Sequence, residues 1–330
     1  MADTTKKAPG PSPGESVPTP PNPTERRQPL PHQEQDSGLG DAGAPDAVQK
    51  ILASPSYREA EQDLDFLQEP ETRGIRLQLE YLKAENLFRE QRIAHTIVVF
   101  GGTRILQPEA AERLASTSAR ELAANPLNAE VQRRHAVAQR LQEKSRFYEM
   151  AREFGQIVGR SGDSAREGRL VVMTGGGPGI MEAANRGASE AGARTAGLNI
   201  SLPHEQYPNP YITPELCLRF HYFALRKLHF ALRARALVIF PGGFGTMDEL
   251  FEILALSQTR KMAPVPIVLA GESYWRKAFN PEFFAEEGVI DPEDLELFWY
   301  AESAQEIWQG ILRWYEKKGE PLLTGKGDRS

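Results

Sequence analysis

Residues 236–249 read ALVIFPGGFGTMDE. An uninterrupted apolar run is stopped by a Pro-Gly-Gly turn. Met247, Leu250, Phe251 and Leu254 then recur at i, i+3, i+4 and i+7. That spacing predicts a helix over 246–259 with these four residues as its core stripe. Glu249 lies off the stripe, free to face a cleft or water. A strand that ends in glycine and opens straight into a helix is half of a βα unit. The arrangement recurs upstream: Thr96–Phe100 (TIVVF) ends in Gly101-Gly102, and Leu170–Met173 (LVVM) leads to Gly175-Gly176-Gly177.

Further strands are predicted at Thr195–Ile200, Leu216–Phe220 and Pro266–Ala270. Helices are predicted over 108–125, 129–158, 179–191, 223–234, 273–286 and 303–317. Continuous apolar runs, unlike alternating ones, mark strands buried on both faces. The pattern predicts an α/β fold, a Rossmann-like doubly wound parallel sheet with helices on both faces. In such sheets ligands bind beyond the carboxyl ends of the strands, which is where the glycine loops lie. No period of 20–50 residues recurs, so a repeat architecture is excluded.

The chain has 330 residues and a net charge of −6, from 39 basic and 45 acidic side chains. A mildly acidic chain carries no general footprint for nucleic acid. Cys217, alone, excludes an intramolecular disulfide and a cysteine zinc site, and it fits a reducing compartment. No stretch approaches the about 18 apolar residues of a membrane span. The opening MADTTKKAPGPSPGE lacks the apolar core of a signal peptide, so a cytoplasmic location is expected. Residues 1–48 hold 10 of the 25 prolines and no aromatic residue, the composition of a disordered tail. Leu64, Leu67, Leu77, Leu79, Leu82 and Leu87, interrupted by Pro70 and Gly74, predict two helices. These form a helical leader over 49–94, packing on a main domain at 95–318, with a short tail at 319–330.

Gly242, Gly243 and Gly245 expose backbone amides at a helix N-terminus, an arrangement suited to a phosphate or another anion. Thr246 adds a hydroxyl. Thr246-x-x-Glu249 also reads as a capping box, which would account for both residues without a ligand. The loop Gly175-Gly176-Gly177-Pro178-Gly179 completes neither a dinucleotide fingerprint nor a P-loop and has no P-loop lysine. Glu182 beyond it suits a sugar hydroxyl or a helix N-terminus equally well. Gly101, Gly102, Thr103 and Arg104 form the third loop, where Arg104 either serves an anionic ligand or is simply solvated. Arg226, His229 and Arg233 share one helix face at i, i+3 and i+7, either as a solvated basic face or with Arg226 in the cleft of Glu249.

Taken in order, GGGPGIMEAANRGA, ALRK and PGGFGTMDE resemble the LOG ("Lonely Guy") family of phosphoribohydrolases. Many of its members carry the older label lysine decarboxylase-like. The resemblance covers roughly residues 95–315 and looks like the longer bacterial branch. Residues 241–249 satisfy its P-G-G-x-G-T-x-x-E pattern in full, and its Arg-Lys pair falls at Arg226-Lys227. Tyr222-Phe223 and Phe230 replace residues of the compact plant-type form near the base, which bears on base preference.

The resemblance implies a homodimer or larger homo-oligomer. It also implies hydrolysis of the N-glycosidic bond of nucleoside 5′-monophosphates, AMP-like or cytokinin riboside monophosphates, to free base and ribose 5-phosphate. Neither a cofactor nor a metal is required, and neither nucleic acid nor membrane is a partner. Arg226 and Glu249 are the catalytic candidates. Gly102, Thr103, Gly175, Gly176, Gly177, Glu182, Lys227, Gly242, Gly243, Gly245 and Thr246 are expected at the substrate. Decarboxylation on pyridoxal phosphate would need a Schiff-base lysine, and Lys144, Lys227, Lys261 and Lys277 sit in no context that suggests one. The alternatives are a non-catalytic nucleotide sensor on the same fold and an assembly protein whose tail recruits partners.

Overall fold

The computed structural model describes residues 42–161, 170–202 and 207–322. Most of the expected tail, residues 1–41, and residues 323–330 lie outside the described residues. The chain divides into two units, Met1–Pro70 and Glu71–Ser330. The expected leader over 49–94 is thus split between them.

In the first unit, helices α1 (Ala44–Leu52) and α2 (Leu64–Gln68) are described. Residues 44–48, assigned to the disordered tail by composition, are helical. Pro45 lies in the first turn, where an amide hydrogen has no helical acceptor to lose. Asp63 caps α2 by accepting from the Phe66 amide.

The second unit opens with helix α3 (Arg73–Glu90), which runs through Gly74 because that glycine falls in its first turn. Only Ala84 and Phe88 of α3 are buried, with Leu87 packed beside them, while Leu79 and Leu82 face out, so the leucines only partly mark its inner face. Seven strands follow: β1 (His95–Phe100), β2 (Leu170–Thr174), β3 (Thr195–Ile200), β4 (Cys217–Phe220), β5 (Ala234–Ile239), β6 (Ile267–Ala270) and β7 (Trp299–Ala301). They form one parallel sheet in the order β4-β3-β2-β1-β5-β6-β7. The winding reverses between β1 and β5, and a crevice must open there at the carboxyl ends of the strands.

Helices α4 (Pro108–Ala124), α5 (Ala129–Arg160), α6 (Ile180–Glu190), α7 (Phe223–Leu232), α8 (Phe244–Gln258), α9 (Glu272–Ala278), α10 (Pro281–Glu286) and α11 (Ala304–Lys318) complete the described α-helices. Alternate residues of each central strand feed opposite layers. Ile97, Val99, Val172 and Val238 join one core with α5, α6 and α11. Val98, Phe100, Met173 and Leu237 join the other with α3, α7, α8 and α9. Both faces are buried, which is why the strands read as unbroken apolar runs. Among the described residues no helix is long and apolar enough to cross a membrane.

Two expectations change. The single helix over 273–286 is two, because Asn280 caps α10 by accepting from the Phe283 amide and Pro281 starts a new first turn. Strand β7 is too short, at 3 residues, for its pattern to show in sequence.

Helices α5 and α6 cross at close range. A Cβ on Gly187 would strike the Arg152 carbonyl, and one on Gly155 would strike the Ala184 carbonyl. Backbone atoms cannot yield as a flexible side chain can. Gly187→Ala is expected to lower stability by about 2–3 kcal/mol through overpacking. Thermal unfolding of the variant checks this, and an unchanged melting temperature would refute it.

Candidate active site

The three glycine loops knit together at the β1/β5 crevice. The Gly102 amide donates to the Pro241 carbonyl at 2.9 Å, and the Ile180 amide donates to the Gly102 carbonyl at 3.2 Å. Gly179 has a φ of +72°, and a Cβ there would collide with the Gly102 and Thr103 backbone. The loops line a cavity of about 750 Å³. That is within the usual range for small-molecule sites, about 300–1,000 Å³.

Helix α8 begins at Phe244, with Gly243 at its N-cap. Thr246 therefore occupies the third helical position and donates its amide to the Gly243 carbonyl at 3.0 Å. The expected Thr246–Glu249 capping box does not form, because the helix starts one turn earlier than the sequence spacing implies. The amides of Gly243, Phe244 and Gly245 have no acceptor among the described residues. A Cβ on Gly243 or Gly245 would meet nothing within 4 Å, and neither residue has a left-handed φ. The protein's own packing does not demand glycine at these two positions, and both border the cavity. The open space and free amides suit an anion approaching the helix end. Tyr274, which sequence reasoning missed, holds this loop by donating its hydroxyl to the Gly242 carbonyl.

Buried residues of α8 are Thr246, Glu249, Leu250, Ile253 and Ser257. The inward stripe is thus rotated from the one expected: Phe251 is 41% exposed, while Glu249 is 7% exposed and borders the cavity. Burial pushes the Glu249 carboxyl up to about 7, against the pull of Arg226 and Lys227. Arg226, from α7, sets its Nη1 3.9 Å from Glu249 Oε1. Its Nε donates to the Leu198 carbonyl at 2.6 Å, and its Nη2 to the Gly175 carbonyl at 3.4 Å. The guanidinium also lies 5.2 Å from the Phe230 ring centroid. Desolvation lowers its pKa, and Glu249 offsets part of this.

Gly175 leaves the space that Arg226 fills, since a Cβ there would strike Nη2. Gly175→Ala is expected to displace the guanidinium and cost about 10- to 100-fold in turnover, as misplaced groups do. Steady-state kinetics test this, and turnover within twofold of the parent would refute it.

The other candidates fall in different places. Gly101, Gly102, Thr103, Gly242 and Thr246 border the cavity, as do Arg104 and Lys144. Gly176 and Gly177 lie behind it. The Asn209 amide donates to the Gly176 carbonyl at 2.9 Å, and its side-chain nitrogen donates to the Gly177 carbonyl at 3.1 Å. Buried Asn185, for which the sequence gives no signal, accepts from Asn209 and from Thr174 and so holds that clamp. Glu182 does not border the cavity; it accepts from the Tyr148 hydroxyl at 2.9 Å. Lys227 points away as well, to Asp248 and Glu252. His229 and Arg233 form no solvated basic face. His229 is fully buried against Tyr81, and both it and Arg233 meet Glu85 of α3. Among the described residues no group of three or more His, Cys, Asp or Glu side chains is placed to hold a metal ion.

Residues 181–311 match the family model described as possible lysine decarboxylase, a span that includes Arg226 and Glu249. No curated protein matches the chain significantly. Among solved structures, the chain is similar to the molybdenum cofactor binding protein from Rippkaea orientalis, at 21% identity and a TM-score of 0.37, over 50% of this chain and 85% of that one. It is similar to the structural-genomics target TM1055 at 19% identity and a TM-score of 0.40, over 66% and 99%. It is also similar to the Moco carrier protein from Chlamydomonas reinhardtii, at 19% identity and a TM-score of 0.38, over 68% and 98%.

Proposed function

We propose that this protein, whose residues 181–311 match the family model described as possible lysine decarboxylase, is an N-glycosidase acting on nucleoside 5′-monophosphates. The observation that carries the reading is the buried Arg226–Glu249 pair, set in the same cavity as the free amides of the Gly243–Gly245 turn. A carboxylate, a cation and an anion cradle together meet the needs of a phosphorylated sugar losing its base.

The 5′-phosphate docks on the amides of Gly243, Phe244 and Gly245, beside the Thr246 hydroxyl. Breaking the bond between C1′ and the base nitrogen leaves positive charge on the ribose and sends the electron pair to the base. Ionised Glu249 stabilises that oxocarbenium-like sugar, as a carboxylate does in glycoside hydrolysis. Water adds to C1′, and its proton goes to the departing base, so the products are free base and ribose 5-phosphate. Arg226 opposes the negative charge that develops on the base. An arginine is too weak an acid to give up its own proton, so its role is electrostatic. The rate is expected to rise with pH through about 7, where Glu249 ionises.

The decarboxylase label fits the site poorly. A Schiff-base lysine works as a free amine, whereas Lys227 lies off the cavity and is held as a cation by two carboxylates, and Lys144, at the cavity rim, donates to the Arg140 carbonyl at 3.4 Å. The decisive experiment incubates the protein with AMP, GMP, CMP, IMP and isopentenyladenosine monophosphate and separates the products by chromatography. Free base with ribose 5-phosphate supports the proposal, and the rank order reveals the preferred base. No base from any of them, with AMP still raising the melting temperature, would replace it with the nucleotide-sensor reading.

A further inference from the structure

We infer that Lys227 is a positioning residue: its bridge to Asp248 and Glu252 sets α7 against α8, and so places Arg226 across from Glu249, without Lys227 touching substrate. For its catalytic consequences the inference rests on the hydrolase reading above. Lys227 Nζ lies 2.8 Å from Asp248 Oδ1 and 2.8 Å from Glu252 Oε2. Its side chain is 16% exposed, and it is absent from the cavity wall that its neighbour Arg226 helps to form.

The geometry follows from helical spacing. Asp248 and Glu252 are i and i+4 on α8, so they share one face and repel each other unless a cation stands between them. Lys227 supplies that cation from α7. One residue back, Arg226 turns to the cavity, and one residue on from Asp248, Glu249 does the same. Two adjacent pairs, 226–227 and 248–249, thus form a double tie between the helices: Arg226 and Glu249 border the cavity, Asp248 stands at its rim, and Lys227 is tucked behind.

The tie also acts on charge. The charged groups around Glu249 are Arg226 and Lys227 from α7, and Asp248 and Glu252 from its own helix. The two cations favour its ionised form and the two carboxylates oppose it. Without Lys227, both carboxylates bear on Glu249 uncompensated, and it ionises at higher pH.

The test compares Lys227→Met with Lys227→Arg. The Met variant is expected to lower kcat for AMP at pH 7 by about 10- to 100-fold, with KM within about threefold, the pattern of a lost transition-state effect. The midpoint of its acid limb should move up by about one pH unit. The Arg variant should keep the parental midpoint. A KM raised more than about tenfold with kcat and midpoint unchanged would make Lys227 a substrate contact and overturn the inference. A lower kcat at every pH with no shift of midpoint would also overturn it, by reducing Lys227 to general fold support.

A substrate-free measurement separates this inference from the hydrolase reading. The difference in melting temperature between a protein and its own Glu249→Gln version, followed against pH, reports where Glu249 ionises. That midpoint should be higher in the Lys227→Met background than in the parent, and an unmoved midpoint would sink the inference. Failure of the parent to release any base would instead remove only the hydrolase reading. Lys227→Gln carries the same comparison if the Met variant does not fold.

Discussion

Replacing Glu249 with Gln is expected to reduce base release sharply and, above pH 7, to make the protein more heat-stable. Loss of a carboxylate that faces the cationic sugar should cost at least about 100-fold in kcat. The stability gain follows from linkage. Burial raises the folded-state pKa of Glu249 from 4.5 to about 7. The native protein therefore binds this proton more tightly than the unfolded chain does. Stability falls as pH rises from 4.5, and the full loss is present above 7. At about 1.4 kcal/mol per unit, the penalty at pH 8 is on the order of 3 kcal/mol. Gln cannot ionise and escapes it. Melting curves of parent and variant should coincide near pH 4.5 and separate by several degrees at pH 8, the variant melting higher. A variant that melts lower at pH 8, or that still releases base at the parental rate, would contradict this account of Glu249.

Replacing Arg226 with Ala should have the largest effect on turnover, about 1,000-fold, because it removes the cation facing the leaving base. Three structural consequences come with it. The Leu198 and Gly175 carbonyls lose their side-chain donor. The Phe230 ring loses its cationic partner. Glu249 loses the charge that most favours its ionised form, so it should titrate higher still. Leaving buried polar groups unpaired costs about 1–3 kcal/mol each. The variant should therefore melt lower than the parent, in contrast to Glu249→Gln. Arg226→Lys keeps a charge but cannot reach both carbonyls, and it should recover only part of the rate. Kinetics and melting curves of the three proteins check this. Parental turnover in Arg226→Ala would refute a catalytic role for the guanidinium.

The central strands are legible in the amino-acid sequence. The runs TIVVF, LVVM and ALVIF each form one because a parallel sheet buries both faces, and an unbroken apolar run is the direct trace of that burial. The glycine turns that end them mark the crevice for a local reason, since backbone without side chains leaves room for a ligand at a strand end. Gly179, for example, meets both a positive φ and the neighbouring Gly102 carbonyl.

The departures from expectation share a physical cause. The apolar residues of α8 predict one inward stripe, but Glu249 is buried by what lies opposite it, not by its own hydropathy. Glu182 and Lys227 lie on helices whose partners, Tyr148 on α5 and Asp248 with Glu252 on α8, come from other stretches of chain. His229 reads as part of a basic face, yet Tyr81 and Glu85, more than 140 positions earlier, bury and face it.

The sequence by itself determined the layered α/β architecture and the strand ends at which the loops gather. Each of these is written in local periodicity and local composition. Only the tertiary structure decided which of the neighbouring charges face the cavity, how far burial lifts Glu249, and what Lys227 holds. Desolvation and ion pairing depend on atoms brought together from distant positions, and no spacing along the chain encodes which of them will meet.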